Sequence, residues 1–250
     1  MTRNLLRISS LVLLIMCCFL LDVNARQFHV TVSGRADGDG SVLKPWNLTK
    51  GLTATAEVKG GDTLMIHGGI YIGNFSSSLA GEQNRNVVVM NYNNEKVVLD
   101  GNTGVNNSSA LIINGRYTTF KNLHVTNSNT SRLSSSDTNN PTDIIRSDGV
   151  NVFGANIKCI NLVIYDNLGI GMGLWSTSID AEIYGCILYN NGWSGPGRGL
   201  GHNMYMQNQT GTKLIQDCII FNAASQGINV YTEGGSIKGF SFEGNTFFNN

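Results

Sequence analysis

The feature that most constrains the fold is a short motif that occurs five times in the second half of the chain. It reads FKNLHVTN, CINLVIYD, IYGCILYN, IQDCIIFN and FEGNTFFN, and it ends at residues 127, 166, 190, 222 and 249. Successive endings are 39, 24, 32 and 27 residues apart. A constant core separated by connections of unequal length is typical of a solenoid whose coils carry different loops. The sequence therefore predicts an all-β solenoid.

Alternate positions of each repeat are mostly apolar, which predicts strands with one buried face. One inward column is predicted to contain Cys159, Ile183, Ile215 and Phe242. A second strand in each coil (GVNVFG, GMGLWS, NMYMQN, GINVYT) predicts another inward column of Val150, Met172, Met204 and Ile228. The same register turns two columns outward: Asn151, Gly173, Tyr205 and Asn229, and then Phe153, Trp175, Gln207 and Tyr231.

Each repeat ends in Asn or Asp, at Asn127, Asp166, Asn190, Asn222 and Asn249. These short polar side chains hydrogen-bond nearby backbone and tolerate left-handed conformations, so a structural ladder at a turn is predicted. The spacing of Cys159, Cys186 and Cys218 matches neither a disulfide framework nor a metal site. We therefore predict that their thiols are buried and reduced.

The two ends of the chain differ from the repeats. Residues 1–25 combine two arginines, an apolar run and a small-residue cleavage site, which predicts a signal peptide and a secreted, periplasmic or cell-surface location. Residues 26–250 then form one β-helix domain. Residues 46–58 space Trp46, Leu52 and Ala56 like one face of a helix that caps the open end of the solenoid. The last strand motif ends at the final residues, which suggests a truncated fragment.

Composition excludes some classes of partner. Charged residues make up 14% of the chain, the formal net charge is zero and no Lys/Arg cluster occurs, so nucleic acid is not expected as a partner. After removal of a signal peptide, no stable membrane insertion is expected either.

Several segments at the start of the solenoid resemble a known family. GGDTLMIHGGIYIGNF (60–75), followed by VVVMNY, VVLDGN and LIINGRYTTFKNLHVTNS, is similar to the opening of the pectate-lyase-like superfamily, especially the alginate lyase and chondroitinase B family. The resemblance implies a single-stranded, right-handed parallel β-helix with a groove for acidic polysaccharide along an outer strand face. It also implies a Lys or Arg base, or Ca²⁺ held by acidic side chains. No lysine falls on the outward positions of the second strands, so the family's catalytic lysine matches no position here.

Two long loops, 128–147 and 191–202, predict where the groove lies. They leave the same edge of the solenoid roughly 10 Å apart, on either side of the short turn at Asp166 and Asn167. Uronate β-elimination needs a base, an acid and a cation for the carboxylate. The candidates for these roles are Arg146, Asp148, Arg198, His202 and Tyr205. Candidates for sugar contact are Asp166, Asn167, Trp175, Trp193 and Tyr231.

Other interpretations remain open at this point. Arg146 could pair with Asp148 or Asp143, and loop 191–202 could fold over Trp175 and bury it. A glycosidase ranks below a lyase because Asp148 and Asp166 are the only nearby pair of carboxylates. A non-catalytic glycan-binding module and an adhesin segment are the alternatives to an enzyme. No metal site is predicted from spacing, and Ca²⁺ stays open as a cofactor.

Overall fold

The computed structural model describes residues 25–138, 140–196, 199–233 and 235–250. The predicted signal peptide therefore lies outside the described residues, apart from Ala25. The described chain winds into a parallel β-helix in which each complete coil contributes one strand to each of three sheets. All strand pairs within these three sheets are parallel, as predicted for stacked coils.

The strands follow one another from the first sheet to the second and then the third, coil after coil. The first sheet contains β1 (Gln27–Val30), β2 (Thr63–Ile66), β5 (Val87–Asn91), β8 (Thr118–Lys121), β11 (Ile157–Ile160), β14 (Glu182–Tyr184), β19 (Lys213–Gln216) and β22 (Phe240–Glu243). The second contains β3 (Gly69–Ile72), β6 (Val97–Asp100), β9 (His124–Thr126), β12 (Val163–Tyr165), β15 (Ile187–Tyr189), β20 (Ile219–Phe221) and β23 (Thr246–Phe248). The third contains β4 (Phe75–Ser77), β7 (Ser109–Ile113), β10 (Asp148–Val152), β13 (Met172–Leu174), β18 (His202–Met206) and β21 (Gln226–Val230).

The predicted inward columns are confirmed. Val150 pairs with Met172, Met172 with Met204, and Met204 with Ile228. Cys159, Ile183, Ile215 and Phe242 are likewise in register on the first sheet. Met172 and Ile183 are completely buried, whereas Phe242, in the last coil of the chain, is 44% exposed. Stacking of equivalent apolar side chains thus builds the core, because a one-residue slip would turn them all outward.

The two outward columns of the third sheet are also confirmed. Asn151, Gly173, Tyr205 and Asn229 align, and we call this set the amide column. Phe153, Trp175, Gln207 and Tyr231 follow one position after the inward residues Val152, Leu174, Met206 and Val230, and we call this set the aromatic column. Both columns lie on the outer face of the solenoid.

The predicted ladder of turn residues is confirmed in part, and a second ladder was missed. Asp166, Asn190, Asn222 and Asn249 adopt left-handed conformations with φ of 50–58°, but Asn127 does not. The hydrogen-bonded amide ladder inside the corner lies one residue later. Asn167 donates to Asn191 Oδ1 at 2.9 Å, and Asn191 donates to Asn203 Oδ1 at 2.8 Å. These three asparagines are fully buried and join the second sheet to the third.

The N-terminal cap helix is shorter than predicted. Helix α1 spans Leu48–Thr53, and the Asn47 side chain accepts a hydrogen bond from the Lys50 amide at its N-terminus. Trp46 and Leu52 are buried as expected, but Ala56 is exposed because the helix has already ended. Ala54 packs into the core instead, which the helical spacing did not indicate.

Cys159, Cys186 and Cys218 are buried free cysteines, as predicted. Burial raises the pKa of the Cys159 thiol to about 12, which keeps it protonated at physiological pH. Among the described residues, no helix has the length and apolar character needed to cross a membrane.

Candidate functional site

A cleft of about 320 Å³ opens beside the outer face of the third sheet. Its wall is the antiparallel hairpin of β16 (Trp193–Ser194) and β17 (Gly199–Leu200), which is inserted before β18. Four of the five predicted catalytic residues line this cleft, namely Arg146, Asp148, His202 and Tyr205. The fifth, Arg198, lies outside the described residues.

Gly201 explains how the hairpin can stand so close to the strands beside it. Its φ is 95°, and a Cβ added there would lie 2.6 Å from the carbonyl oxygen of Gly169. Only glycine fits this backbone conformation and this approach. The chain can therefore reverse directly into β18 and place His202 at the edge of the cleft.

Asp148 is the carboxylate of the cleft, and it is half-buried at the start of β10. Its Oδ1 accepts a hydrogen bond from the Ile170 amide at 2.7 Å, and its Oδ2 accepts one from Asn151 Nδ2 at 2.9 Å. Loss of water raises the pKa of Asp148 despite these donors and the nearby Arg146. Carboxyl groups whose pKa is raised in a cleft are common at functional sites.

Arg146 approaches the cleft without a carboxylate partner. Its Nη1 donates to Asn140 Oδ1 at 2.9 Å, and no described carboxylate lies within 4 Å of its guanidinium. Its Nε is buried and donates to no described atom. The alternative in which Arg146 pairs with Asp148 or Asp143 is therefore not realised, since Asp143 is bound by Ser134 and Ser135 instead. The guanidinium keeps donors for an anionic ligand.

His202 and Tyr205 both lie on β18 and both line the cleft. Their rings lie 6.1 Å apart, centroid to centroid, with planes 22° from parallel. His202 is 7% exposed, and its Nε2 lies 3.2 Å from the Asn229 side-chain nitrogen. Gln207 Nε2 lies 3.4 Å from the Tyr205 hydroxyl oxygen. An imidazole and a phenol thus face the same space, which is a workable acid–base pair.

Aromatic rings continue from the cleft across the outer face, in a group that we call the aromatic ledge: Phe153, Trp175, Tyr205 and Tyr231. The Phe153 and Trp175 rings are stacked, with centroids 5.7 Å apart and planes 2° from parallel. Tyr205 contacts Trp175 on one side and Tyr231 on the other, at 5.5 and 6.4 Å. Trp175 is half-buried and Tyr231 is 49% exposed, so the ledge is accessible to a ligand.

Comparison with known proteins agrees with this architecture. Residues 28–250 match the model of the Pel9A-like right-handed β-helix region. The chain belongs to this family. No curated protein sequence matches it.

The solved structures that resemble this Pel9A-like β-helix share its fold at low sequence identity. Pectate lyase Pel9A superposes with a TM-score of 0.57 and 17% identity, over 89% of this chain and 58% of that one. Alginate lyase from Paenibacillus sp. str. FPU-7 gives 0.56 and 17%, over 89% and 66%. GH136 lacto-N-biosidase from Eubacterium ramulus gives 0.52 and 12%, over 90% and 55%. The chain thus spans less than two thirds of the pectate lyase.

At the predicted position of the groove, a second cleft of about 450 Å³ is lined by Asp166, Tyr165, Arg132 and residues 126–130. The two long loops of this Pel9A-like β-helix do not stand apart as its two walls, because they hydrogen-bond to each other. The Ser134 amide donates to the Ser194 carbonyl at 2.8 Å, and the Ser194 amide donates to the Arg132 carbonyl at 2.9 Å. The cleft that contains Arg146, Asp148, His202 and Tyr205 is a different one, which opens beside the strands of the third sheet.

Two predicted sugar-contacting residues are therefore placed elsewhere. Asp166 lies 3.3 Å from Arg132, and both line the cleft at the turn rather than the cleft beside the third sheet. Asn167 is fully buried in the amide ladder, so its side chain cannot reach a ligand. Trp193 lines the cleft but is only 3% exposed, so the hairpin buries it while leaving Trp175 accessible in part.

The cleft does not suit the Ca²⁺ that the family resemblance implies. Calcium takes six to eight oxygen ligands, usually including several carboxylates. Asp148 is the only carboxylate that lines the described cleft, and both of its oxygens already accept hydrogen bonds. The described residues contain no cluster of three His, Cys, Asp or Glu side chains able to hold a metal ion.

Asn151 is the connecting residue that sequence reasoning missed. Its amide nitrogen donates to Asp148 and to Ser109, and its oxygen accepts from Trp175 Nε1 at 2.8 Å. A Cβ at Gly173 would come within 2.2 Å of Asn151 Oδ1, so glycine is needed there. The sequence predicts the outward direction of Asn151, but its bridging role depends on strands of three different coils.

Proposed function

We propose that this protein binds an acidic polysaccharide in the cleft and cleaves it by β-elimination. The observation that carries the proposal is the meeting of an unpaired arginine, a histidine and a tyrosine in one cleft: Arg146, His202 and Tyr205. Support for a glycan also comes from the aromatic ledge, whose rings offer apolar faces beside polar side chains, as sugar-binding surfaces do. Two of the structurally similar proteins are named as lyases of pectate and alginate.

The chemistry follows from these groups. Arg146 donates hydrogen bonds to the uronate carboxylate and stabilises the charge that develops when the adjacent carbon loses its proton. His202 accepts the C5 proton, and the electron pair forms the C4–C5 double bond. The bond from C4 to the glycosidic oxygen breaks, and the Tyr205 hydroxyl donates the proton that the leaving oxygen takes up. Proton exchange between His202 and Tyr205 through solvent then returns both side chains to their starting protonation states.

The arrangement favours elimination over hydrolysis. Glycoside hydrolysis commonly uses two carboxyl groups on either side of the scissile bond, about 5–9.5 Å apart. Asp148 is the only carboxylate lining the described part of the cleft, so the second carboxylate is missing there. In our proposal Asp148 is held by Asn151 and orients the cleft.

The test is to measure product formation and binding on the same variants. Elimination creates an unsaturated uronate that absorbs in the ultraviolet, and hydrolysis or binding creates none. We expect Tyr205→Phe to lower the rate about 10²- to 10⁴-fold with binding retained, because only the hydroxyl is removed. His202→Gln should behave in the same way, whereas Tyr184→Phe, exposed on the first sheet, serves as the control.

A non-catalytic glycan-binding module is the second candidate, and the aromatic ledge alone favours it. In that case the wild-type protein binds polysaccharide, no ultraviolet-absorbing product forms, and Tyr205→Phe changes nothing but affinity. Absence of both binding and product would refute the proposal as a whole.

We also propose that residues 1–25 are a signal peptide and that the protein is secreted, periplasmic or attached to the cell surface. Support comes from the sequence pattern and from the polymeric nature of the proposed substrate. N-terminal sequencing of the protein expressed in a secreting host tests this directly. A chain that starts at Arg26 is the expected result, and an intact N-terminus inside the cell would contradict it.

A further inference from the structure

The outer face of the third sheet has an unusual charge distribution for a surface that contacts polyanions. The amide column and the aromatic column contain no lysine, arginine, aspartate or glutamate. Arg146 is the only lysine or arginine side chain that lines the described cleft. Within the described residues, this face therefore offers one arginine beside Asp148 at one end, and neutral amides, hydroxyls and aromatic rings along the two columns.

This distribution discriminates between acidic polymers. Neighbouring strands are about 4.8 Å apart, so a chain lying along the solenoid meets new side chains at intervals close to the length of one sugar unit. In a polymer of uronic acid alone, each unit brings a carboxylate. Only one of these can reach Arg146, and the others lose water against Trp175 and its neighbours without a counter-charge. Desolvation of an unpaired charge is costly, so such a polymer is disfavoured.

We infer that the substrate is a heteropolysaccharide in which an acidic residue bound at Arg146 is flanked by neutral sugars on the aromatic ledge. The inference rests on the proposed function and specifies its substrate class. Neutral sugars present apolar ring faces that stack on Trp175 and Tyr231, and their hydroxyls can exchange hydrogen bonds with Asn229. A single charge-assisted contact then selects the position of the acidic unit.

The experiment compares three size-matched polymers by calorimetry. Polygalacturonate carries a carboxylate on every unit, the rhamnogalacturonan backbone alternates the same uronic acid with a neutral sugar, and galactan is neutral. The alternating polymer should bind at least 10-fold more tightly than polygalacturonate. Its affinity should fall only slightly with added salt, because a single ionic contact is involved.

Two variants test the charge argument from opposite directions. Arg146→Gln should weaken binding of the alternating polymer by about 10- to 100-fold and leave galactan binding unchanged. Asn114→Lys places a cation at an exposed position beside Phe153 in the neighbouring coil, and it should improve polygalacturonate binding relative to the alternating polymer. Thermal unfolding of each variant checks that the fold is retained.

The outcomes separate the inference from the proposed function. If polygalacturonate binds as tightly as the alternating polymer, or if Asn114→Lys does not change their ratio, the inferred substrate class is wrong while a glycan-binding cleft stands. If none of the three polymers binds, the proposed function and the inference both fail.

Discussion

Lys213 gives the sharpest test of how this β-helix tolerates charge in its interior. It begins β19, points inward and is completely buried. Its Nζ donates to the Ser178 carbonyl at 2.7 Å and to Asn208 Oδ1 at 3.1 Å. Burial lowers the pKa of Lys213 from 10.5 to about 8, although the charge of Asp180 opposes the shift. Burial of the charged Lys213 side chain against two neutral acceptors therefore lowers the free energy of unfolding by an amount that depends on pH.

The sign of the effect follows from proton binding. Between pH 8 and 10.5 the unfolded chain keeps the proton on Lys213 and the folded chain does not, so the free energy of unfolding rises with pH through this window. The stability gained when Lys213 is deprotonated in the folded chain is fully present above pH 10.5 and is lost as the pH falls through 8. The pKa shift corresponds to about 3 to 3.5 kcal/mol. Lys213→Met removes the titrating group, so wild type should gain that amount over the variant from pH 7 to pH 10.5.

Urea unfolding of residues 26–250 at intervals from pH 7 to 10.5 measures the difference. Tyrosine ionisation affects wild type and variant equally and cancels. Lys158→Met is the matched control, because Lys158 lies on the exposed face of the same sheet and pairs with Glu182. That variant should not change the pH dependence. Parallel stability curves for wild type and Lys213→Met would refute the reasoning that burial sets the protonation of Lys213.

Four further predictions follow from the described contacts. Trp175→Ala should abolish glycan binding and cost about 1–3 kcal/mol of stability, less than a fully buried tryptophan, as measured by calorimetry and urea unfolding. Asp148→Asn should remove a pH dependence of the melting temperature: wild type should lose stability relative to the variant as the pH rises from acid to neutral, since the raised pKa of Asp148 makes its ionised form a cost in the folded state. Asn191→Ala should cost about 2–4 kcal/mol in urea unfolding, because it leaves buried partners unsatisfied. Thiol titration of the unfolded 26–250 chain should find three free cysteines, and fewer would contradict the reduced state.

The register of the solenoid could be predicted because it depends on a repeated local pattern. The columns through Val150 and Cys159 follow from alternation alone, and the structure confirms them. Lys213 breaks the same alternation, and nothing nearby in sequence reveals the acceptors that make its burial tolerable. The amide ladder at Asn167 was missed by one residue because adjacent polar residues made either position a reasonable choice.

The site could be predicted in part for a related physical reason. Arg146, Asp148, His202 and Tyr205 line one cleft because they border strands whose register the sequence predicts. The contact between the two long loops could not be predicted, because loop conformation depends on contacts between distant segments. Ser134 and Ser194 are sixty residues apart, and no periodic pattern connects them. The order of the strands predicts which residues are neighbours, whereas the conformation of a loop depends on the other loop that it contacts.

The buried amide ladder at Asn167, Asn191 and Asn203 allows the surface loops to change in evolution while the core stays the same. Both long insertions leave the solenoid at the corner that this ladder closes from within. Because the corner's hydrogen bonds are completed by side chains inside the coil, the loops outside can change length or sequence without disturbing strand register. Recombination at this corner would exchange one cleft wall for another, and the chain can acquire a new specificity while its scaffold stays the same.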